Sequence, residues 1–409
     1  MKRGNRVNLH NGDLYWNTTE FKELRKNDKK SPAANYDVIV VGGGMSGALS
    51  AYTMKKQGLS VALIDKDIIG HGSTSANTGL LQYSNDIMLH ELAQQIGEED
   101  AVLFYKACRK AVEQLKEMAA ELDHDCSFHS RKSLYFASEK SDAQRLQKEF
   151  DMLQRHGFEV EYWDRRTIEQ HYPFSKEAAL ITFGDAEVNP LLFSQGVIDK
   201  ARDMGVDLFE EVDITNYSEG EEGVELETSA GSFSAGQIIF AIGYDNAPFL
   251  QQGQLELNRS FVVTSSPIED LGAWKDRALI WETQRPYLYL RTTDDNRIIA
   301  GGLDEPLSED GGSRTHLVER AGELSQQVKA LFPMYSFDTD FSWSAAFGES
   351  GDQLPFIGRH PQKARYYYLL GYGGNGTVYS MLGSELLADL IHGRPNPLAG
   401  LLKIGRLSS

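Results

Sequence analysis

Three glycines with a fixed spacing lie between an apolar run and a helix-forming stretch near the start of the chain. Gly42, Gly44 and Gly47 follow the run DVIVV in a Gly-x-Gly-x-x-Gly pattern. The first glycine permits a tight turn, the second lets the backbone approach a pyrophosphate, and the third lets the helix pack close to the strand. Asp65 ends the next apolar run, VALI, where an acid can bind both ribose hydroxyls. The pattern predicts a strand–turn–helix–strand unit that binds a dinucleotide.

A second glycine turn near the far end of the chain is suited to an electron-accepting ring. Residues 369–380, LLGYGGNGTVYS, repeat the order of apolar run, glycine turn and helix. The positive dipole end of that helix can face a ring edge that gathers negative charge on reduction. A nicotinamide has no obvious need for a second unit, whereas a flavin has. The simpler alternative is a helix that merely starts after a glycine turn.

Small and polar residues directly follow the ribose-binding acid. Residues 70–81, GHGSTSANTGLL, have side chains small enough for the chain to pass close to a flat ring. Ser73, Thr74, Ser75 and Asn77 offer hydrogen bonds there. We call residues 70–81 the flavin loop, and an ordinary surface loop is the alternative.

Several stretches in this order resemble the D-amino-acid oxidase superfamily of FAD-dependent oxidoreductases, in the branch that contains glycine oxidase and sarcosine oxidase. They are the opening glycine pattern, the flavin loop, QIIFAIGYDNAP, and the closing pair DQLPFIGRHP and LLGYGGNGTVYSMLGSELLADLI. The resemblance extends from Tyr36 to about His392 and implies that the cofactor is FAD. The residues then expected to contact FAD are Gly42, Gly44, Met45, Ser46, Gly47, Asp65, Lys66, Gly72, Ser73, Thr74, Ser75, Asn77, Thr78, Gly79, Leu80, Val212, Ala241, Gly243, Gly373, Gly374, Asn375, Gly376 and Thr377.

FAD is expected to bind without a covalent link. In sarcosine oxidase relatives a cysteine of the penultimate motif carries the flavin, and the matching stretch here, FSWSAAFGESGDQLPFIG, contains no cysteine. His71 lies in the flavin loop, but its offset from Asp65 does not support attachment.

The resemblance implies that FAD accepts hydride from a carbon that bears nitrogen, or in some members oxygen. Relatives that act on α-amino acids bind the carboxylate through a bidentate arginine in the C-terminal region. The corresponding position here is Phe347, which is followed by Gly348 and Glu349. Either another arginine binds a carboxylate, or the substrate is a cationic amine that faces Glu349.

The stretch QRPYLYLRTTDDNRIIAGG offers further groups, because one face of its strand lines the pocket in relatives. Alternation along a strand places Arg285, Tyr287, Tyr289 and Arg291 on one face. The alternative is an exposed sheet face, and Arg131 on the facing strand is a weaker candidate. The residues predicted to act on the substrate are Tyr287, Tyr289, Arg291 and Glu349.

Other chemistries remain as alternatives. A 2-hydroxy-acid dehydrogenase would need a base for the hydroxyl proton, and of the ten histidines only His71 lies beside the predicted flavin. A flavoprotein that binds a ligand without catalytic turnover is another alternative. Oxygen and an electron carrier are both open as acceptors, since no lysine occurs between Lys275 and Lys329, where sarcosine oxidase relatives use one. No metal site is predicted, because HDCSFH supplies three loose ligands without a fourth.

The periodicity of the apolar residues indicates the elements that position these groups. Helices are predicted at about 98–122, over SDAQRLQKEFDMLQRHG, over NPLLFSQGVIDKARDMG with Asn189 as its cap, and near 316–331. Short strands dominate at about 212–243 and 257–345. The predicted fold is α/β, with a Rossmann-like FAD-binding domain and an interleaved substrate domain of antiparallel β-sheet plus helices.

The predicted domains alternate along the chain. The FAD-binding domain comprises 36–85, 150–255 and 340–395, and the substrate-binding domain comprises 86–149 and 256–339. Residues 1–35 form an N-terminal arm with eight Lys or Arg against four Asp or Glu, and are expected to pack loosely.

The composition limits the partners. With 59 acidic and 41 basic residues the net charge is −18, which repels phosphate backbones and argues against nucleic acid. The two cysteines, Cys108 and Cys126, show no paired spacing, which favours a reducing compartment. No apolar run approaches the roughly 18 residues of a membrane span. These features predict a cytoplasmic enzyme acting on a small-molecule amine or amino acid.

Overall fold

The computed structural model describes residues 9–19, 35–244, 255–308 and 312–407. Within these ranges the helices are α1 Met45–Lys56, α2 Ser73–Ala76, α3 Leu89–Ile96, α4 Glu98–Glu121, α5 Asp142–Arg155, α6 Arg165–His171, α7 Pro190–Asp203, α8 Arg314–Leu331, α9 Gly376–Ile391 and α10 Leu398–Leu401. Single 3-10 turns occupy Tyr15–Thr18 and Lys275–Arg277.

Eighteen strands alternate with these helices in the described ranges. They are β1 His10–Gly12, β2 Tyr36–Val41, β3 Val61–Ile64, β4 Leu80–Leu81, β5 His129–Phe136, β6 Val160–Asp164, β7 Ala178–Glu187, β8 Asp207–Phe209, β9 Ile214–Glu219, β10 Val224–Thr228, β11 Gly231–Phe240, β12 Leu255–Ser265, β13 Leu279–Glu282, β14 Tyr289–Thr292, β15 Ile298–Pro306, β16 Thr339–Ser350, β17 Phe356–Arg359 and β18 Tyr366–Leu370.

One sheet carries the glycine turns. Its order is β17-β18-β11-β2-β3-β8, with β10 and β9 extending from β11, and β2 is parallel to both β11 and β3. The Val38–Val40 segment of β2 is buried, as expected for a central parallel strand covered on both faces. Helices α1 and α9 pack against each other beside this sheet, where the Ser46 and Ser380 hydroxyls lie 2.9 Å apart.

The other sheet is mostly antiparallel. Its order is β1-β16-β12-β15-β14-β13-β5-β7-β4, with β6 also paired to β7, and only the β13–β5 pair on this path is parallel. Helix α8 packs Leu317, Leu324 and Val328 into its core. The predicted combination of a Rossmann-like unit with an interleaved antiparallel sheet is confirmed.

Some strands pair outside the sheet to which the predicted boundaries would assign them. β6, β7 and β16 belong to the antiparallel sheet, although 150–255 and 340–395 were predicted to belong to the FAD-binding domain. A strand's own residues do not show which distant strand it pairs with, so the periodicity could not separate these segments. The division into domains itself stays a prediction.

The helix predictions are confirmed by α4, α5, α7 and α8. At the start of α7 the Asn189 side chain accepts hydrogen bonds from the Leu191 and Leu192 amides, and Pro190 takes the first helical position.

The expectation of a loosely packed arm is wrong for residues 9–19. β1 pairs with β16, and Tyr15 and Trp16 are buried with Trp343 in a shared apolar cluster. Because the arm contains more basic than acidic residues, it was expected to be solvated, and the anchoring role of Tyr15 and Trp16 was not predicted. No helix in the described ranges combines the length and apolar character that a membrane crossing requires.

Candidate functional site

The first and third opening glycines have the geometry that a tight turn and close helix–strand packing require. Gly42 has φ +100°, and its amide donates to the Ile64 carbonyl at 2.8 Å. A Cβ at Gly42 would lie 2.4 Å from the Ala241 carbonyl oxygen, and one at Gly47 would lie 1.7 Å from the Gly42 oxygen. The turn therefore depends on glycine at both positions, and Ala241, which is expected to contact FAD, lies beside it.

Asp65 turns its carboxylate toward this glycine turn. Its two oxygens accept hydrogen bonds from the backbone amides of Gly43 and Asp67. Burial raises the pKa of the carboxyl, while the two amides oppose that rise. The Val212 amide donates to the Asp65 carbonyl at 2.9 Å, so Val212, which is expected to contact FAD, adjoins the predicted ribose acid.

The C-terminal glycine turn lies next to the opening one. Gly373 has φ +52°, the Gly374 amide donates to Asp86 Oδ2 at 3.3 Å, and Gly376 opens α9. The Asn375 side chain donates to the Gln82 carbonyl at 2.8 Å, which fixes the turn against the chain just after the flavin loop. Residues at opposite ends of the polypeptide thus form one site.

The flavin loop spans the gap between the two glycine turns. The Thr74 hydroxyl accepts from the Met45 amide at 2.9 Å, and the Asn77 side chain reaches Thr377 Oγ1 at 3.4 Å. The Ser75 hydroxyl donates to the Gly72 carbonyl at 2.9 Å. Thr74 and Asn77 therefore hold the loop to the rest of the protein, and Ser75 stabilises the loop internally.

The groups that these residues offer suit FAD. A Cβ at Gly72 or Gly243 would meet nothing within 4 Å, so the backbone there borders open space. Helices α1 and α9, which are in contact at Ser46 and Ser380, each have a positive dipole end at the first turn, which suits a negatively charged group. With Asp65 at the ribose position, the donor set matches a dinucleotide with a polar ring system.

Arg291 does not reach the predicted substrate pocket. Its guanidinium is buried and donates to the carbonyls of Thr78, Gly79 and Val188 at 3.3, 2.9 and 2.8 Å. It also lies 3.6 Å from Glu187, which pairs with Arg131 at 2.7 Å. Strand β14 begins only at Tyr289, so alternation does not extend to Arg285 and Tyr287, and it could not show that the flavin loop covers Arg291. Neither Arg291 nor Arg131 presents a free fork to a substrate.

Arg285 and Tyr287 of the same stretch border open space instead. Arg285 is exposed and stacks over the Tyr287 ring, with 4.6 Å from its Cζ to the ring centre. One Nη donates to the Asp86 carbonyl at 2.6 Å, and the Tyr287 hydroxyl donates to Asp86 Oδ1 at 2.8 Å. Tyr289 packs flat on Gly301, where a Cβ would lie 2.2 Å from the tyrosine ring.

Glu349 lies within electrostatic range of two other carboxylates, Asp86 and Asp304, and of this arginine. Burial raises the pKa of Glu349 to about 7, and the charges of Asp86 and Asp304 add to the rise. Burial likewise raises the pKa of Asp304 to about 6. The Asn258 amide donates to Glu349 Oε2 at 2.8 Å, whereas Asp304 Oδ1 is buried without a hydrogen bond in the described part of the chain. The pocket wall is therefore acidic and has capacity for a cation.

The sequence did not indicate Asp86 or Asp304 as site residues. Neither belongs to a motif, and each lies in a different loop or strand from Glu349, so no spacing connects them. The one available signal for Asp86 was its position five residues after the flavin loop. Among the described residues no three His, Cys, Asp or Glu side chains are grouped so as to hold a metal ion.

Comparison with known proteins agrees with this geometry. A family profile described as FAD dependent oxidoreductase, DAO, matches residues 37–390. The chain belongs to this family. It is an FAD-dependent oxidoreductase.

Individual relatives cover nearly the whole enzyme. Glycine oxidase of Bacillus licheniformis is 26% identical over 375 residues, which is 88% of this chain and 94% of the relative. Gamma-glutamylputrescine oxidoreductase of Escherichia coli strain K12 is 25% identical over 380 residues, which is 90% of this chain and 86% of the relative. The crystal structure of glycine oxidase from Geobacillus kaustophilus superimposes with a TM-score of 0.76 at 20% identity, over 91% of this chain and 99% of that one.

Proposed function

We propose that the enzyme oxidises the C–N bond of a small amine or amino acid, with the substrate nitrogen facing Glu349 and Asp304. The observation that carries this proposal is the convergence of three carboxylates, Asp86, Asp304 and Glu349, beside the C-terminal glycine turn. An ammonium group fits such a wall, because opposite charges at short range in a partly buried site attract strongly.

FAD, when bound, supplies a ring that accepts hydride from the carbon next to nitrogen. An ammonium must lose a proton before its nitrogen lone pair can assist that departure. The Glu349 carboxyl exchanges between its two forms near neutral pH because its pKa is about 7. It is thus suited to take the proton from the substrate nitrogen. Asp86, fixed by Tyr287, orients the ammonium from the other side.

An amino acid is the second substrate class that a specific observation favours. Arg285 is exposed at the edge of the acidic wall, and its Nη1 contacts to the Glu282 and Gln284 carbonyls are long, 3.4 and 3.3 Å. A carboxylate can replace these weak contacts with a bidentate pair. The names of the relatives support both classes, since glycine is an amino acid and gamma-glutamylputrescine is an amine conjugate.

Anaerobic reduction of the bound flavin tests the proposal. The panel pairs each amine with the amino acid and the 2-hydroxy acid of the same carbon skeleton, and the readout is loss of flavin absorbance. We expect nitrogen compounds to bleach the flavin and hydroxy acids to leave it oxidised. Preference for hydroxy acids would refute the proposal, and failure of every compound would favour a flavoprotein that binds without turnover.

Variants of the two charged groups separate the two substrate classes. Glu349→Gln should slow flavin reduction by amines and amino acids alike. Arg285→Ala should raise KM about tenfold for amino acids and leave KM for amines unchanged. Glu225→Gln is the matched control, because Glu225 is exposed on β10 and far from the pocket. An equal effect of Arg285→Ala on both classes would exclude Arg285 as the carboxylate ligand.

We also propose that FAD is held noncovalently in a cytoplasmic enzyme, and that oxygen or a carrier reoxidises it. Free, buried thiols at Cys108 and Cys126 are compatible with a reducing compartment. Release of FAD into the supernatant on acid precipitation tests the noncovalent link. Oxygen consumption during turnover, compared with reduction of an artificial dye, distinguishes the two acceptors.

A further inference from the structure

Four successive backbone carbonyls of the flavin loop, at 76–79, each accept a hydrogen bond from a large side chain behind the loop. The three donor residues come from three separate segments of the chain. Trp343 donates to Ala76 at 2.9 Å, Trp16 to Asn77 at 2.6 Å, and Arg291 to Thr78 and Gly79 at 3.3 and 2.9 Å.

These donors form one buried unit, which we call the loop clamp: Trp16, Trp343 and Arg291. Their relative exposures are 2%, 0% and 2%. Trp16 and Trp343 share an apolar cluster with Ala76 of the loop, and the Arg291 guanidinium lies 5.4 Å from the Trp16 ring centre. Trp16 precedes the residues that match the family profile, so this support comes from outside the matched domain.

We propose that the loop clamp positions the flavin loop for FAD, and that Trp16 thereby makes the N-terminal segment part of the cofactor site. The clamp fixes the carbonyl side of residues 76–79. The loop's other edge is thereby held toward the glycine turns, where the Asn77 side chain reaches Thr377. The proposal concerns FAD binding and does not depend on which substrate is oxidised.

The composition of the loop explains why it needs such support. Residues 70–81 include three glycines and mostly small side chains, which bury little surface of their own and leave the backbone many conformations. Buried donors remove that freedom, because breaking the bond from Trp16 or Trp343 would leave a buried indole N–H without its acceptor. If the loop is already ordered before FAD binds, less conformational entropy is lost on binding, and FAD binds more tightly.

Trp16→Phe tests the proposal, since it removes the indole N–H and keeps an aromatic ring. Titration of apo-protein with FAD, followed by flavin fluorescence, should show a dissociation constant raised about fivefold, the value for one lost neutral hydrogen bond. Tyr15→Phe is the matched control. Tyr15 lies in the same apolar cluster as Trp16, but its hydroxyl donates to Asp295 rather than to the loop. Removal of this hydroxyl should therefore leave FAD affinity unchanged.

A purely structural role for Trp16 gives a different result. In that case Trp16→Phe would lower the melting temperature of apo- and FAD-loaded protein equally, whereas loss of loop positioning lowers the loaded protein more. Unchanged FAD affinity in folded Trp16→Phe, or equal destabilisation of both forms, would overturn the proposal. If Trp16→Phe fails to fold, Arg291→Lys provides the second test. It removes the guanidinium bonds to the Thr78 and Gly79 carbonyls and must weaken FAD binding in the same way.

Discussion

The Tyr287 hydroxyl donates to the Asp86 carboxylate at 2.8 Å across 201 positions of the chain. The same carboxylate accepts from the Gly374 amide, so the tyrosine links the substrate wall to the C-terminal glycine turn. Tyr287 was predicted to act on the substrate directly. The structure shows its hydroxyl engaged with Asp86, and its role in catalysis remains a prediction.

Tyr287→Phe should therefore lower kcat/KM for amines by about fivefold to tenfold, because Asp86 loses one of its two fixed donors. Stopped-flow measurement of flavin reduction checks this value. Tyr217→Phe, in β9 of the other sheet, should have no effect. An equal loss in the two variants would mean that the hydroxyl at Tyr287 has no special role.

The rate of reduction by amines should rise with pH through about 7. The pKa of Glu349 is raised to about 7, so its base form increases over that range. In Glu349→Gln this step should vanish from the pH profile of kcat/KM. A step that persists unchanged in the variant would assign the titration to another group.

Glu349 should also affect the pH dependence of stability. Its pKa is about 7 when folded and near the ordinary 4.5 when unfolded, so the folded protein keeps the proton longer. Raising the pH from about 4.5 to about 7 therefore favours the unfolded chain and lowers the free energy of unfolding. Melting curves of the apo-protein should show this decline diminished in Glu349→Gln. A stability that rises more steeply in wild type than in the variant over this range would contradict the sign.

Gly47→Ala should abolish FAD binding, since its Cβ would lie 1.7 Å from the Gly42 oxygen and must push the helix from the strand. Gly322→Ala is the matched helical control. Its Cβ would enter open space in α8, where alanine is expected to stabilise the helix by up to about 1 kcal/mol. FAD titration and thermal melts of both variants check the contrast, which would fail if Gly47→Ala bound FAD normally.

Arg291→Lys should destabilise the protein by about 2–4 kcal/mol, because a lysine cannot satisfy the four backbone carbonyls that the guanidinium contacts. The ratio of kcat/KM for an amino acid to that for its amine should not change. Arg165→Lys is the control, since Arg165 pairs with Glu177 at the surface. A selective loss of amino-acid turnover would restore Arg291 as a carboxylate ligand.

Local stereochemistry explains what the sequence could predict. Gly42 and Gly47 are required by contacts within one strand–turn–helix unit, and Asn189 caps a helix through amides two and three residues away. Each of these interactions is encoded by neighbours in the chain, so the residue types alone indicate them.

The acidic wall and the loop clamp could not be predicted in this way. Glu349 meets Asp86 and Asp304 only because β16, β15 and the chain after the flavin loop converge through long-range strand pairing. Arg291 shows the same limit, because alternation fixes the side of the strand and not the segment packed upon it.

The contacts from Trp16 to Asn77 and from Asn77 to Thr377 have a consequence for biosynthesis. During translation the nucleotide-binding half emerges long before α9, so the pocket is completed only after α9 has left the ribosome. Flavin capture should consequently follow the emergence of α9, and nascent chains truncated before Tyr366 should emerge colourless.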